Sequence, residues 1–112
     1  MHMKEIKAFI KPNRVQKVVE ALVENNFNCI TLTKGEGLGS FKRGDAFPSL
    51  EFGFTDSSVV KLELVCQKEH TEKIVQIITE NGRSPERGDG IIYVSGVDEA
   101  FKVKTGKPIT KF

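Results

Sequence analysis

VVKLELVC, residues 59–66, is the stretch that decides the fold. Apolar side chains at Val60, Leu62, Leu64 and Cys66 alternate with Lys61 and Glu63. A period of two over eight residues is the pattern of a strand with one face buried. The chain that follows, KEHTEKIVQIITENG, changes period. Ile74, Ile77 and Ile78 recur at helical spacing, and Gly82 supplies a C-terminal stop. A strand that feeds directly into an amphipathic helix is one half of a β-α-β unit.

Further out, the same grammar recurs. KEIKAFIK, residues 4–11, alternates with Ile6, Ala8 and Ile10 on one face and Lys7, Phe9 and Lys11 on the other. Pro12 ends that strand, and Asn13 is positioned to cap a helix over 14–25 whose stripe is Val15, Val18, Val19 and Leu22. FNCITLTK, residues 27–34, reads as a second strand, with Ile30 and Leu32 facing one way and Cys29, Thr31 and Thr33 the other. Ile91 to Val97 reads as a fourth. The order is strand, helix, strand, long loop, strand, helix, loop, strand. It predicts an α+β, ferredoxin-like (βαββαβ) domain over residues 1–112, with both helices on one face of an antiparallel sheet. The other face keeps Phe9, Thr31, Val59 and Val65 among charges, which calls for a partner, most simply further copies of the chain.

Composition narrows the function. The chain has 112 residues, 38% hydrophobic and 29% charged, with a net charge of +2. That charge is too small for a sequence-blind nucleic-acid binder. No apolar run approaches a membrane span, and the N-terminus lacks signal-peptide order, so a cytoplasmic location is expected. Two Cys and two His are too few and too scattered for a disulfide framework or a structural zinc site. Cys29 and Cys66, both in strands, are expected to be small buried hydrophobes. His70 should cap or flank the second helix. Met1 and His2, ahead of Met3, read as an expression remnant and are set aside.

Three segments are rich in glycine or in paired lysine: Gly37-Leu38-Gly39, Arg87-Gly88-Asp89-Gly90 and Lys102-Val103-Lys104-Thr105-Gly106. Glycine lets backbone amides approach an anion, and lysine adds point charge. Each alone could be an ordinary turn. Between the second and third strands, residues 40–58 show no sustained period, which in a domain this small points to a functional loop. Four of the eight Phe residues fall there: Phe41, Phe47, Phe52 and Phe54, beside the basic pair Lys42–Arg43. Aromatic and Arg residues are common interface anchors.

Together MKEIKAFIKP, TLT, GEGLG, VVKLELVC, GDGIIYV and VDEAFKVKTG resemble the PII signal-transduction proteins across nearly the whole chain, from about residue 3 to 107. The resemblance implies a homotrimer that binds adenine nucleotides (ATP and ADP, with AMP as a further candidate) between subunits. It implies that Thr31, Gly37, Leu38 and Gly39 line the adenine and ribose side. A B-loop at 83–91, with Arg87, Gly88, Asp89 and Gly90, would hold the phosphates. Lys102 and Lys104, at the start of a C-terminal loop over 102–112, would reach those phosphates from the adjoining subunit. Residues 40–58 would be the T-loop that docks on a target transporter, efflux pump or metabolic enzyme, and contact with a membrane would come only through a transporter. The chain would be a regulator and not an enzyme.

This sequence departs from the family's pattern in several places. Ile91 follows GDG where the family usually carries Lys, and Lys102 and Lys104 stand where it usually carries Arg. Lys lacks the bidentate fork of Arg, so the triphosphate grip should be looser, with Arg83 and Arg87 available nearby. Phe41 replaces the Gln that helps hold Mg and 2-oxoglutarate, which leaves Mg open and argues against 2-oxoglutarate sensing. The single Tyr is Tyr93, so a T-loop tyrosine cannot be uridylylated. Two other readings share the architecture. One is a trimeric metal or small-molecule response protein like CutA. The other is an acylphosphatase-like hydrolase that would use Arg83, Arg87 and Asn81.

Overall fold

The structure is a computed structural model that describes residues 2–37, 57–85 and 90–112. Four strands and two helices follow the expected order: β1 Met3–Ile10, α1 Pro12–Glu24, β2 Thr31–Gly37, β3 Ser57–Gln67, α2 Thr71–Gly82 and β4 Ile92–Val97. A short 3-10 turn, Lys68–His70, leads into α2. The sheet order is β2-β3-β1-β4 and every pairing is antiparallel. This is the α+β, ferredoxin-like arrangement.

Both helices cover one face. The alternation in β1 and β3 sends Ile6, Ala8, Ile10, Leu62, Leu64 and Cys66 into a single core, and α1 and α2 answer with Val18, Leu22, Ile74, Ile77 and Ile78. The helices cross closely at Gly82, where a Cβ would stand 3.4 Å from Val18 Cγ2. The opposite face is uncovered. The ladder register aligns Thr31 with Glu63, Thr33 with Lys61, Lys61 with Phe9 and Lys7 with Tyr93. There the Phe9 and Tyr93 rings meet edge to face, 6.0 Å between centroids. Ion pairs Lys7–Glu5 (3.5 Å) and Lys61–Glu63 (3.3 Å) lie beside them, half exposed and worth at most about 1 kcal/mol each.

Several boundaries differ from the sequence reading, each for a physical reason. Pro12 begins α1 instead of merely ending β1. Its missing N–H and fixed φ suit the first helical turn, so Lys11 is the N-cap and Asn13 lies inside the helix. The second strand starts four residues later than expected and continues through Gly37. After α1, Asn26 takes φ 69° and the Phe27 N–H returns to Leu22 O at 2.9 Å. Residues 27–30 are therefore spent crossing from the helix layer to the sheet, and pairing begins only at Thr31 opposite Glu63. Cys29 is exposed as a result, while Cys66 is buried as expected. Leu32 is also 48% exposed, on the outer edge of the sheet. The His2 carbonyl accepts the Lys68 N–H at 3.0 Å, so His2 joins the backbone bonding ahead of β1. Among the described residues no helix is long and apolar enough to cross a membrane.

Candidate functional site

The two ends of the sheet carry different chemistry. At one end β1 and β2 finish, at Ile10 and Gly37, and β3 and β4 begin, at Ser57 and Ile92. Both glycine-rich segments join the sheet here. Gly37 pairs with Ser57 and is buried, and Gly90 precedes β4 against the end of β1. A Cβ at Gly90 would run into the Phe9 carbonyl group and come within 3.2 Å of Phe9 Cβ. The adjacent Ile91 carbonyl accepts the Phe9 N–H at 3.0 Å. Gly90 is thus pressed onto backbone, a contact that only glycine permits. Next to this, Lys11 Nζ donates to Ser84 Oγ at 2.9 Å and ties the start of α1 to the segment after α2.

The opposite end holds a cavity of about 410 Å³. The turn after α1 lines it with Asn26, Phe27 and Cys29, and β3 lines it with Val65 and Cys66. Phe112 closes a further side. The cavity exists because β2 stops pairing with β3 at Glu63, so the β3 edge from Leu64 to Cys66 faces it without a ladder partner in β2. Phe27 packs on the core and on the His70 ring, 5.5 Å between centroids, and fixes one wall. Burial pushes the Cys66 thiol up from its usual range, a weak contact to Thr71 Oγ1 at 3.9 Å pulls it down, and Glu69 adds to the rise. Cys66 is therefore an apolar wall at neutral pH and not a nucleophile.

The C-terminal segment leaves β4 at this same end, where Val97 lies opposite Met3. It folds back on itself. Phe101 and Pro108 form an antiparallel bridge, the Lys102 N–H reaches Lys107 O at 2.9 Å, and the Ile109 N–H reaches Ala100 O at 2.7 Å. Gly106, at φ 69°, makes the reversal, its N–H bonded to Lys102 O at 2.7 Å. Lys102 and Lys104 stand exposed on this closed turn, ammonium groups offered to solvent or to a neighbour.

The structure therefore brings Gly37 and Gly90 to one end, starts β2 at Thr31 level with Glu63 and Lys7 partway along the sheet, and sends the segment bearing Lys102 and Lys104 out from the other end. Thr31 and Gly37 are the two ends of β2, separated by six residue steps and so by roughly 20 Å. Strand extension of the GEG segment, which reads as a loop, is what carries them apart. Leu38, Gly39, Arg87, Gly88 and Asp89 lie outside the described residues, as do the T-loop candidates Phe41, Lys42, Arg43, Phe47, Phe52 and Phe54. Asn81 and Arg83 are engaged at the end of α2: the Asn81 amide donates to Ile77 O at 2.8 Å and Arg83 Nε to Thr79 O at 3.3 Å. Sequence reasoning missed the cavity lining. Its only trace is the run Asn25-Asn26-Phe27-Asn28, an aromatic among amides just before a strand.

Comparison with known proteins agrees with this architecture. Residues 3–107 match the family described as nitrogen regulatory protein P-II. The chain is 34% identical to the nitrogen fixation nifHD1 region GlnB-like protein 1 of Methanosarcina barkeri, over 95% of this chain and 98% of that one. It is equally 34% identical to the nitrogen regulatory protein P-II of Rhizobium meliloti strain 1021, over 94% and 95% of the two chains. Among solved structures, Arabidopsis thaliana PII bound to citrate superposes with a TM-score of 0.77 at 29% identity, covering 96% of this chain and 88% of the other. With a family match across almost its full length, and relatives above 30% identity end to end, this chain belongs to the nitrogen regulatory protein P-II family.

Proposed function

We propose that the chain is a non-enzymatic signalling regulator that binds adenine nucleotides at the seams of a homotrimer and controls a target protein through residues 40–58. The observation that carries the reading is the division of the site between the two ends of the sheet. The cavity and the start of the C-terminal segment lie at one end, Gly37 and Gly90 at the other, and Thr31 between them. A nucleotide whose base enters the cavity of one protomer meets glycine amides for its phosphates when a second protomer supplies its Gly90 end. In this arrangement Lys102 and Lys104 act beside the base, in the same protomer, and across the seam from the glycines. The uncovered sheet face, with Phe9, Tyr93, Val59 and Val65, supplies apolar area for self-association. The cavity volume suits a small ligand, and the unladdered edge of β3 offers backbone groups to the rim of a planar base.

Regulation follows from linkage. A nucleotide that favours one arrangement of the 40–58 loop shifts the population by the difference in its affinities and by no more. With Lys in place of the usual Arg, ADP and AMP are expected to bind about as well as ATP. Calorimetry with ATP, ADP, AMP and cyclic AMP tests this. At least one should bind in the micromolar range, about 8 kcal/mol. Absence of heat with all four, or a monomer by sedimentation, would defeat the reading. The division between protomers has its own test. Lys104→Ala and Arg87→Ala should each lose nucleotide affinity, and trimers reassembled from an equal mixture should regain about a quarter of the sites, because only a cross-protomer site can be rebuilt from two defective chains.

A further inference from the structure

We propose that Phe112 is the stacking wall of the base subsite, so that the segment bearing Lys102 and Lys104 also closes on the purine. This rests on the nucleotide reading above and deepens it. Phe112 borders the cavity without filling it, since about 410 Å³ remains with the ring in place. Phe112 is 42% exposed and lines the cavity, so it has accessible surface for a ligand to cover. The β3 edge at Leu64 to Cys66, and Asn26 and Asn28, line the same cavity. An amide offers a donor and an acceptor together, which suits the alternating donors and acceptors on the rim of adenine. A flat ring and amide side chains around one cavity suit a planar heteroaromatic, since every base has a π-face to stack.

Phe112 is linked to the lysines through a short, closed path. The Phe101–Pro108 bridge and the Ile109 N–H to Ala100 O bond hold residues 100–109 as one unit, and Ile109 is half-buried. Only Thr110 and Lys111 separate that unit from Phe112. Base stacking and phosphate contact then lie on a single segment, and the base reports to the lysines through its backbone.

The experiment is calorimetry on full-length wild type, Phe112→Ala and Phe112→Trp with AMP, ADP and ATP. Stacking predicts that Phe112→Ala weakens all three by the same factor, about tenfold, because they share the base. Phe112→Trp should retain affinity. The chain has no Trp, so the introduced indole is a clean reporter whose emission should fall as adenine stacks on it. Unchanged or tighter binding in Phe112→Ala, a loss that grows with phosphate number, or emission unmoved at saturating ADP would overturn the assignment. Failure of wild type to bind any of the three defeats the nucleotide reading itself, whereas normal wild-type binding with an indifferent Phe112→Ala defeats only the role of Phe112.

Discussion

The two ends of the sheet solve opposite problems. At the Gly90 end the chain packs closely by leaving out a side chain: backbone lies on backbone, and the Phe9 carbonyl occupies the space a Cβ would need. At the cavity end it adds side chains. Phe27, Phe112 and the asparagines wall a space left open where β2 stops pairing. The first end is intolerant of a single methyl group and the second should tolerate remodelling, because a cavity wall has room to relax where a backbone contact has none.

That contrast can be broken by mutation. Gly90→Ala is expected to have the largest effect, a loss of about 4 kcal/mol or failure to fold, since the obstruction is backbone and cannot rotate away. Urea denaturation would measure it, and a Gly90→Ala protein of unchanged midpoint would show that the close approach is not real. Phe27→Ala at the other end should cost about 2 kcal/mol, below the range for a fully buried Phe, because the ring is only half-buried. Its urea midpoint compared with that of Gly90→Ala tests the asymmetry directly.

Asn26 sharpens the comparison at smaller scale. Its φ of 69° starts the crossing that opens the cavity. Asn26→Ala should lose about 1 kcal/mol in thermal unfolding, while Asn26→Gly should stay within a few tenths of wild type. Equal losses for Ala and Gly would mean that the amide, and not the backbone angle, matters. The smallest effect is a slope. Burial raises the Cys66 thiol in the folded state above its unfolded value, so its contribution to stability is complete below the ordinary thiol range. The contribution is lost as pH rises through that range towards the raised value. Between pH 7 and 10, wild type should lose stability faster than Cys66→Val, and parallel curves would count against a buried thiol.

Much of the fold was legible because its signals are local. The alternation of VVKLELVC and KEIKAFIK, and the isoleucine stripe of α2, fix which atoms must leave water, and the structure buries Leu62, Leu64, Ile6, Ala8, Ile74 and Ile78 as the pattern requires. The site was legible only in pieces. Gly90 and the lysine turn could be marked from residue type, but the separation of Thr31 from Gly37 depends on β2 running to Gly37. Propensity argues against that course through Gly35-Glu36-Gly37, and the ladder with Val59, Ser58 and Ser57 overrides it.

By itself, then, the sequence determined the element order, the buried faces and the glycines whose missing side chains a site would need. Hydrophobic period and backbone permissiveness are properties of neighbouring residues. Only the tertiary structure decided where β2 begins, that Cys29 is exposed while Cys66 is buried, and that Phe112 meets Phe27 and Val65 around one cavity. Those outcomes depend on which strand edge is left without a partner, a fact set by contacts between segments far apart in the chain and written in none of them alone.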